Sequence, residues 1–118
     1  MSDATTSCLF CRIVAGEVPA DVVRRDDRTV AFRDVTPKAP THILVVPIEH
    51  TENAAATAAA DPTLVGALVL AAAEVAAGEG IADSGYRLVL NTGADAGQTV
   101  FHTHLHLLGG EPQGWPIG

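Results

Sequence analysis

The stretch FHTHLHLLGG (residues 101–110) carries three of the five histidines of the chain, each separated from the next by one residue. Side chains on a β-strand alternate between its two faces, so this spacing predicts a strand with His102, His104 and His106 on one face. The opposite face would carry Thr103, Leu105 and Leu107. Imidazoles in a row are costly to bury without partners, and with ordinary pKa values of about 6.5 they titrate as a coupled set around neutrality.

Such a row of imidazoles is suited to attack on phosphorus. A neutral ring can act as the nucleophile, while a neighbouring ring stabilises an anionic oxygen or protonates a leaving group. The residues alone leave two alternatives open. Alternating histidines on a strand can bind zinc, and they can also be ordinary half-buried strand residues.

Four further strands are predicted outside this stretch. The segment DVVRRDDRTVAFRDV (21–35) has the pattern of two strands joined by a turn at Asp26 and Asp27, as in a β-hairpin. The apolar, β-branched run HILVVPI (42–48) predicts a buried strand, and YRLVLN (86–91) predicts another. With the histidine strand, these segments make a five-stranded and mostly antiparallel sheet.

Two helices are predicted. A short N-terminal helix falls within residues 8–16, and one long helix falls within residues 61–80, where Asp61 can cap the first turn and Pro62 suits it. The fold class is therefore α+β. Glu74 is the only charged residue in the middle of the long helix, so a second apolar face predicts a partner subunit. The alternative is an alanine-rich helix whose small side chains tolerate water.

The length and the net charge of the chain limit its number of domains and its partners. A chain of 118 residues and 12.2 kDa favours one domain, here residues 8–118 after a flexible polar tail over residues 1–7. The formal net charge of −7 argues against a nucleic-acid polymer as partner, although it allows one small phosphate ester. No apolar run reaches membrane-spanning length, and the N-terminus lacks the pattern of a signal peptide. We therefore expect no membrane partner and a cytoplasmic location.

The only cysteines, Cys8 and Cys11, form a C-x-x-C motif. In a reducing compartment this spacing indicates metal binding or redox chemistry before a structural disulfide.

The pattern His-φ-His-φ-His-φ-φ over residues 102–108 resembles the motif of the histidine triad (HIT) family of nucleotide hydrolases and transferases. The segments at 26–50 and 91–110 and the terminal WPIG (115–118) resemble the Hint-like branch of that family, the purine nucleoside phosphoramidases, and in particular a bacterial subset with an N-terminal C-x-x-C. The resemblance extends over roughly residues 8–118. Thr103 is a departure, because the family pattern has a large apolar residue there.

The resemblance implies a catalytic mechanism. The middle histidine, His104, would attack the α-phosphorus of a nucleoside 5′-phosphoramidate or acyl-nucleotide, and water would release the monophosphate from the nucleotidyl-histidine. His106 would hydrogen-bond the phosphate, and His42 would support the triad from behind. His102 completes the triad as a candidate acid–base group. No cofactor is required for this chemistry.

The resemblance also implies a purine nucleotide site. Asp34 would hold the ribose hydroxyls. The phosphate would be held by Asn91, Gly97, Gln98 and Thr99. The base would lie among Leu9, Phe10, Ile13, Phe32, Val35 and Leu44. The family forms a homodimer in which the C-terminal segment with Trp115 lies near the partner's active site.

In the bacterial subset with the C-x-x-C motif, the resemblance implies a structural zinc ion bound by Cys8, Cys11, His50 and His102. Coordination would remove His102 from proton transfer. A bare thiol pair and a disulfide remain as alternatives. For function, the rivals are a dinucleoside polyphosphate hydrolase, a nucleotide-binding regulatory module without activity, and a zinc-dependent hydrolase that uses the triad as ligands.

Overall fold

A computed structural model describes residues 7–114 of the chain. Within these residues the chain forms three α-helices, five β-strands and one short 3₁₀ turn. In chain order they are α1 (Leu9–Val14), β1 (Val22–Arg25), β2 (Thr29–Arg33), β3 (Thr41–Pro47), α2 (Ala54–Ala60), α3 (Pro62–Gly78), β4 (Tyr86–Leu90), the 3₁₀ turn (Ala94–Ala96) and β5 (Leu105–Gly109). No helix of the described part is long and apolar enough to span a membrane.

The five strands form one antiparallel sheet in the order β1-β2-β3-β5-β4. The predicted α+β class, the antiparallel sheet and the hairpin about Asp26 and Asp27 are confirmed. The register sets Phe32 opposite Leu44, and Leu44 opposite His106. Directly opposed residues share a face, so this register carries the site residues of three strands onto the same side of the sheet.

Each face of the sheet has its own apolar core. On one face, the buried residues of α3 pack against strand side chains that include Ile43, Val45 and Leu107. On the other face, Phe10 of α1 packs against Phe32 and Leu44. The second core is smaller and borders the histidines, so the short N-terminal helix forms one wall of the site.

Helix α3 begins and ends close to where the sequence predicts. The side chain of Asp61 accepts a hydrogen bond from the amide of Thr63, and Pro62 is the first helical residue. The prediction of a second apolar face also agrees with the structure, since Val69 and Leu70 are 43% and 59% exposed. Helix α2 is not predicted from the sequence, and its N-terminus is capped by Asn53, whose side chain accepts from the amide of Ala56.

The last strand is shorter than predicted. It was expected over residues 100–110, but β5 begins only at Leu105. The amide of Thr103 donates to the carbonyl of Thr51 instead of to a neighbouring strand, so His102 and His104 precede the ladder. Their side chains nevertheless keep the expected alternation, because both rings contact Phe10 while Thr103 contacts α2 on the opposite side.

Candidate functional site

A cavity of ≈ 460 Å³ opens on the face of the sheet that carries α1. Ten of the predicted nucleotide-site residues line it, namely Leu9, Phe10, Ile13, Phe32, Asp34, Val35, Leu44, Thr99, His104 and His106. The wall is completed by Val18, Pro19, Ala20, Arg33, Thr36 and Val100, which carry no pattern that sequence reasoning could have used. The cavity is apolar on one side, with a carboxylate and two imidazoles on the other, and this division suits a nucleotide.

The ring of His104 has a fixed orientation. Its Nδ1 lies 2.8 Å from the backbone carbonyl oxygen of His102. A carbonyl can only accept, so Nδ1 donates its proton to it, and the tautomer with this proton has its lone pair on Nε2. The rings of Phe10 and His106 approach edge-on with centroids 5.0 Å away, which confines the imidazole further. The arrangement leaves an unprotonated nitrogen on a ring that lines the cavity.

His42 and His106 form a hydrogen-bond chain with fixed tautomers. The amide of Lys38 donates to Nδ1 of His42 at 3.0 Å, so the proton of His42 lies on Nε2. This Nε2 donates to Nδ1 of His106 at 2.9 Å, and the carboxylate of Asp34 lies 3.4 Å from the same Nε2. His106 therefore carries its own proton on Nε2, where it can donate to a bound anion.

Burial keeps both rings of this chain neutral. Desolvation lowers the pKa of His42, against the opposing effect of Asp34. Desolvation also lowers the pKa of His106 to about 4, assisted by the neighbouring His104 and His42. At neutral pH, His106 is thus a neutral hydrogen-bond donor and not an imidazolium.

The side chain of Gln98 stabilises the loop before the histidines through hydrogen bonds. Its side-chain oxygen accepts from the amide of Gly93, and its side-chain nitrogen donates to the carbonyls of Glu52 and Val100. Its backbone amide donates to Gly93 as well. The donors of Gln98, which were predicted to bind a phosphate, are therefore engaged with Gly93, Val100 and Glu52, whereas Thr99 lines the cavity.

Three other residues expected at the nucleotide site lie apart from the cavity wall or beyond the described part. Asn91 and Gly97 do not line the cavity. Gly97 has a positive φ of 94°, and this backbone conformation accounts for a glycine at the end of the 3₁₀ turn. Trp115 lies outside the described residues.

A second cluster lies beside the first, where Cys8, Cys11, His50 and His102 bring one ligand atom each to within 4.8 Å of one another. Nδ1 of His102 lies 3.4 Å from both sulfur atoms and 3.1 Å from Nδ1 of His50. Nε2 of His102 donates to the carbonyl of Pro47 at 2.9 Å, so its Nδ1 lone pair is directed into the cluster. Burial lowers the pKa of His102 to about 4, and this keeps the lone pair free.

These distances fit a tetrahedral zinc ion. Zinc bonds of about 2.3 Å to sulfur and about 2.0–2.1 Å to nitrogen give tetrahedron edges of about 3.5 Å between sulfur and nitrogen and about 3.4 Å between nitrogens. The sulfur–nitrogen distances here are 3.3 and 3.4 Å. Burial, with the neighbouring Cys8, raises the pKa of Cys11 to about 12. A cation at the centre of the cluster would favour the thiolate form of Cys11.

Comparisons with known proteins agree with this geometry. A profile of the HIT domain matches residues 15–113. The chain is 44% identical over 106 residues to the purine nucleoside phosphoramidase of Escherichia coli K12, covering 90% of this chain and 89% of that protein. A HIT family hydrolase from Legionella pneumophila has a TM-score of 0.91 and 45% identity, over 95% of this chain and 100% of that one. A Zn-bound histidine triad family protein from Mycobacterium smegmatis has a TM-score of 0.81 and 29% identity, over 97% and 81% of the two chains.

Proposed function

The chain belongs to the histidine triad (HIT) family and is a hydrolase, and we propose that it cleaves purine nucleoside 5′-phosphoramidates through a nucleotidyl intermediate on His104. The observation that carries the proposal is the hydrogen bond from Nδ1 of His104 to the carbonyl of His102. This bond leaves the Nε2 lone pair available on a ring that lines a cavity of nucleotide size.

In the first step, Nε2 of His104 attacks the α-phosphorus, and the bond between phosphorus and the leaving nitrogen breaks. The amine leaves with a proton taken from water at the mouth of the cavity. The Nε2 proton of His106 hydrogen-bonds a phosphate oxygen, and it is held in place by the chain through His42. A fixed neutral donor stabilises the charge that develops on that oxygen without having to reorient during the reaction.

In the second step, water attacks the phosphorus and the bond between phosphorus and Nε2 breaks. The products are a nucleoside 5′-monophosphate, such as AMP, and the free His104. The proton released by the attacking water neutralises the hydroxide left by the first step, so the two steps together consume one water molecule and release one amine. The proton that His104 donates to the His102 carbonyl through Nδ1 stays in place throughout, so the ring keeps its orientation between the two steps.

The apolar part of the cavity is the proposed base site, and Asp34 is the proposed ribose contact. One oxygen of Asp34 accepts from the amide and hydroxyl of Thr36, which fixes the carboxylate in the cavity wall. The other oxygen retains lone pairs that can accept from the ribose hydroxyls. Phe10 and Phe32 lie edge to face with centroids 5.6 Å apart and provide apolar surface for a purine.

We also propose that Cys8, Cys11, His50 and His102 hold a structural zinc ion. Both cysteines are free in the structure, and this is the state that a reducing compartment such as the cytoplasm maintains. When bound, zinc would supply a cross-link between α1 and the segment that leads into β5. His102 would then be a ligand, and its donated hydrogen bond to Pro47 would orient the ring.

A homodimer is proposed from two features. Strand β4 lies at the edge of the sheet, and all five of its residues are only half-buried. Helix α3 exposes Val69 and Leu70 to solvent. A second copy would pair the free strand edge and cover these side chains together.

The proposed activity is tested by turnover of adenosine 5′-phosphoramidate, with diadenosine polyphosphate supplied as a competing substrate. We expect release of AMP from the phosphoramidate with the higher kcat/KM. Preference for the polyphosphate would favour the rival hydrolase reading. Tight AMP binding without turnover of either compound would make the protein a nucleotide-binding module.

A further inference from the structure

Three threonine hydroxyls meet behind the catalytic histidines. The oxygens of Thr51, Thr57 and Thr103 lie 2.7 to 2.9 Å from one another, and we call this cluster the threonine triangle. Thr57 is fully buried and Thr103 is 1% exposed. The triangle lies on the side of the chain away from the cavity, so none of its hydroxyls can contact a nucleotide bound there.

Every hydroxyl of the triangle has an acceptor for its proton. The hydroxyl of Thr103 donates to the carbonyl of Thr51, and that of Thr57 donates to the carbonyl of Asn53. The remaining proton, on the hydroxyl of Thr51, can donate to the hydroxyl oxygen of Thr57 or of Thr103, so each of the three hydroxyls donates one hydrogen bond. A buried polar cluster that is fully satisfied is rigid, because any displacement leaves a buried group without a partner.

The triangle acts on one particular peptide unit. The carbonyl that orients His104 belongs to His102, and the N–H of the same planar unit belongs to Thr103. This N–H donates to the carbonyl of Thr51 at 2.8 Å. The two groups of a trans peptide are directed oppositely, so the bond to Thr51 sets the direction in which the carbonyl meets the imidazole.

We propose that the threonine triangle positions the nucleophile, holding the peptide unit between His102 and Thr103 so that its carbonyl keeps the lone pair of His104 aimed at the phosphorus. Thr51, Thr57 and Thr103 are thus positioning residues and not catalytic ones. The proposal rests on the proposed function for its kinetic consequence, but the geometry that it describes is a property of the free protein. Small displacements of a reacting nitrogen cost about 10²-fold in rate where the attack geometry is strict.

The test uses Thr103→Val, which removes the hydroxyl and keeps the shape, with Thr103→Ser as the variant that restores it. Thr57→Val is the second variant, because it leaves residue 103 unchanged. Thr29→Val is the matched control, since Thr29 is a buried threonine whose hydroxyl donates to Asp26 on the hairpin. Each variant is assayed for kcat and KM with adenosine 5′-phosphoramidate. The exchange of the Nδ1 proton of His104 with water is measured by NMR without substrate.

We expect Thr103→Val and Thr57→Val to lower kcat by about tenfold or more, with KM changed by less than about twofold. We also expect faster exchange of the His104 proton. Thr103→Ser should recover both properties, and Thr29→Val should change neither. A folded Thr103→Val protein with parental kcat and parental exchange overturns the proposal, and if that variant does not fold, the same result with Thr57→Val overturns it.

The two claims can fail separately. If the parent protein does not turn over phosphoramidates, the proposed function is wrong, and the proton exchange alone then decides the positioning role. If the parent is active and neither valine variant changes kcat or exchange, the positioning role is wrong and the proposed function stands.

Discussion

Replacing His106 with Gln measures the energetic cost of burying a neutral imidazole beside His104, the proposed nucleophile. Burial lowers the pKa of His106 to about 4, against about 6.5 in an unfolded chain. Between these two pH values the unfolded chain binds a proton at this position and the folded chain does not. Stability from this group is therefore complete above about pH 6.5, is lost as the pH falls, and levels off below about pH 4.

The magnitude follows from the two pKa values. At pH 4.5 the unfolded histidine is about 99% protonated while the folded one is about one-quarter protonated, and the free energy of unfolding falls by roughly 2–3 kcal/mol relative to pH 7.5. Urea unfolding at pH 7.5 and pH 4.5, at one protein concentration, measures this loss for the parent and for His106→Gln. The difference between the two losses cancels the contributions of groups that do not contact His106, such as His102.

We expect the parent to lose roughly 2–3 kcal/mol more than the variant between these pH values. Equal losses in the two proteins would refute the assignment of His106 as a buried neutral donor. The hydrogen-bond chain through His42 would then have to carry a charge, and the tautomers assigned from Lys38 would be wrong.

Three further predictions concern the nucleophile, the metal and the dimer. His104→Ala should lower the turnover of adenosine 5′-phosphoramidate by about 10⁴ or more and leave the affinity for AMP unchanged. Turnover within tenfold of that of the parent would exclude covalent catalysis at this residue. Purified parent protein should contain about one zinc per chain by elemental analysis, and Cys8→Ser should contain little, with activity retained in both. A parent protein that is metal-free when prepared without chelator would contradict the zinc site and leave the two cysteines as a free thiol pair. Sedimentation of the parent should give twice the monomer mass of 12.2 kDa, and Leu70→Glu should sediment as a smaller species. A parent protein that is a fully active monomer would contradict the dimer.

The elements that the sequence predicts well are those with local signals. Helix α3 has a capping aspartate and a proline at its first turn, and the hairpin of β1 and β2 has a clear turn between β-branched runs. Helix α2 escaped prediction because its seven residues have no apolar periodicity. Its only signals are the cap by Asn53 and the helix propensity of alanine.

The site was predictable in composition but not in all of its contacts. The residue types and spacing of the triad indicated phosphorus chemistry, and resemblance supplied the pocket residues. The late start of β5 depends on the amide of Thr103 bonding to Thr51, a contact between segments 52 residues apart that no local pattern encodes. The hydrogen bonds of Gln98 could not be predicted for the same reason, because its partner Glu52 is distant in sequence.

Thr103 shows how a departure from a family pattern can be informative. Its position in the histidine motif is expected to hold a large apolar side chain, and the sequence alone offered no reason for a hydroxyl there. The structure places this hydroxyl against those of Thr51 and Thr57, so a buried polar contact replaces an apolar one. The identity of a residue that faces away from the cavity is thus set by its neighbours in α2 and the segment that precedes it.

The central claim is that a nucleotidyl group is carried by His104, and trapping this species tests it most directly. The protein is mixed with adenosine 5′-phosphoramidate, denatured within the first turnover at alkaline pH to protect the phosphorus–nitrogen bond, and analysed by mass spectrometry. We predict a mass increase of one adenylyl group per active site, located on His104 by peptide fragmentation and absent from His104→Ala. Complete conversion of substrate in a single turnover with no adduct at any time, or an adduct on another residue, would contradict the account.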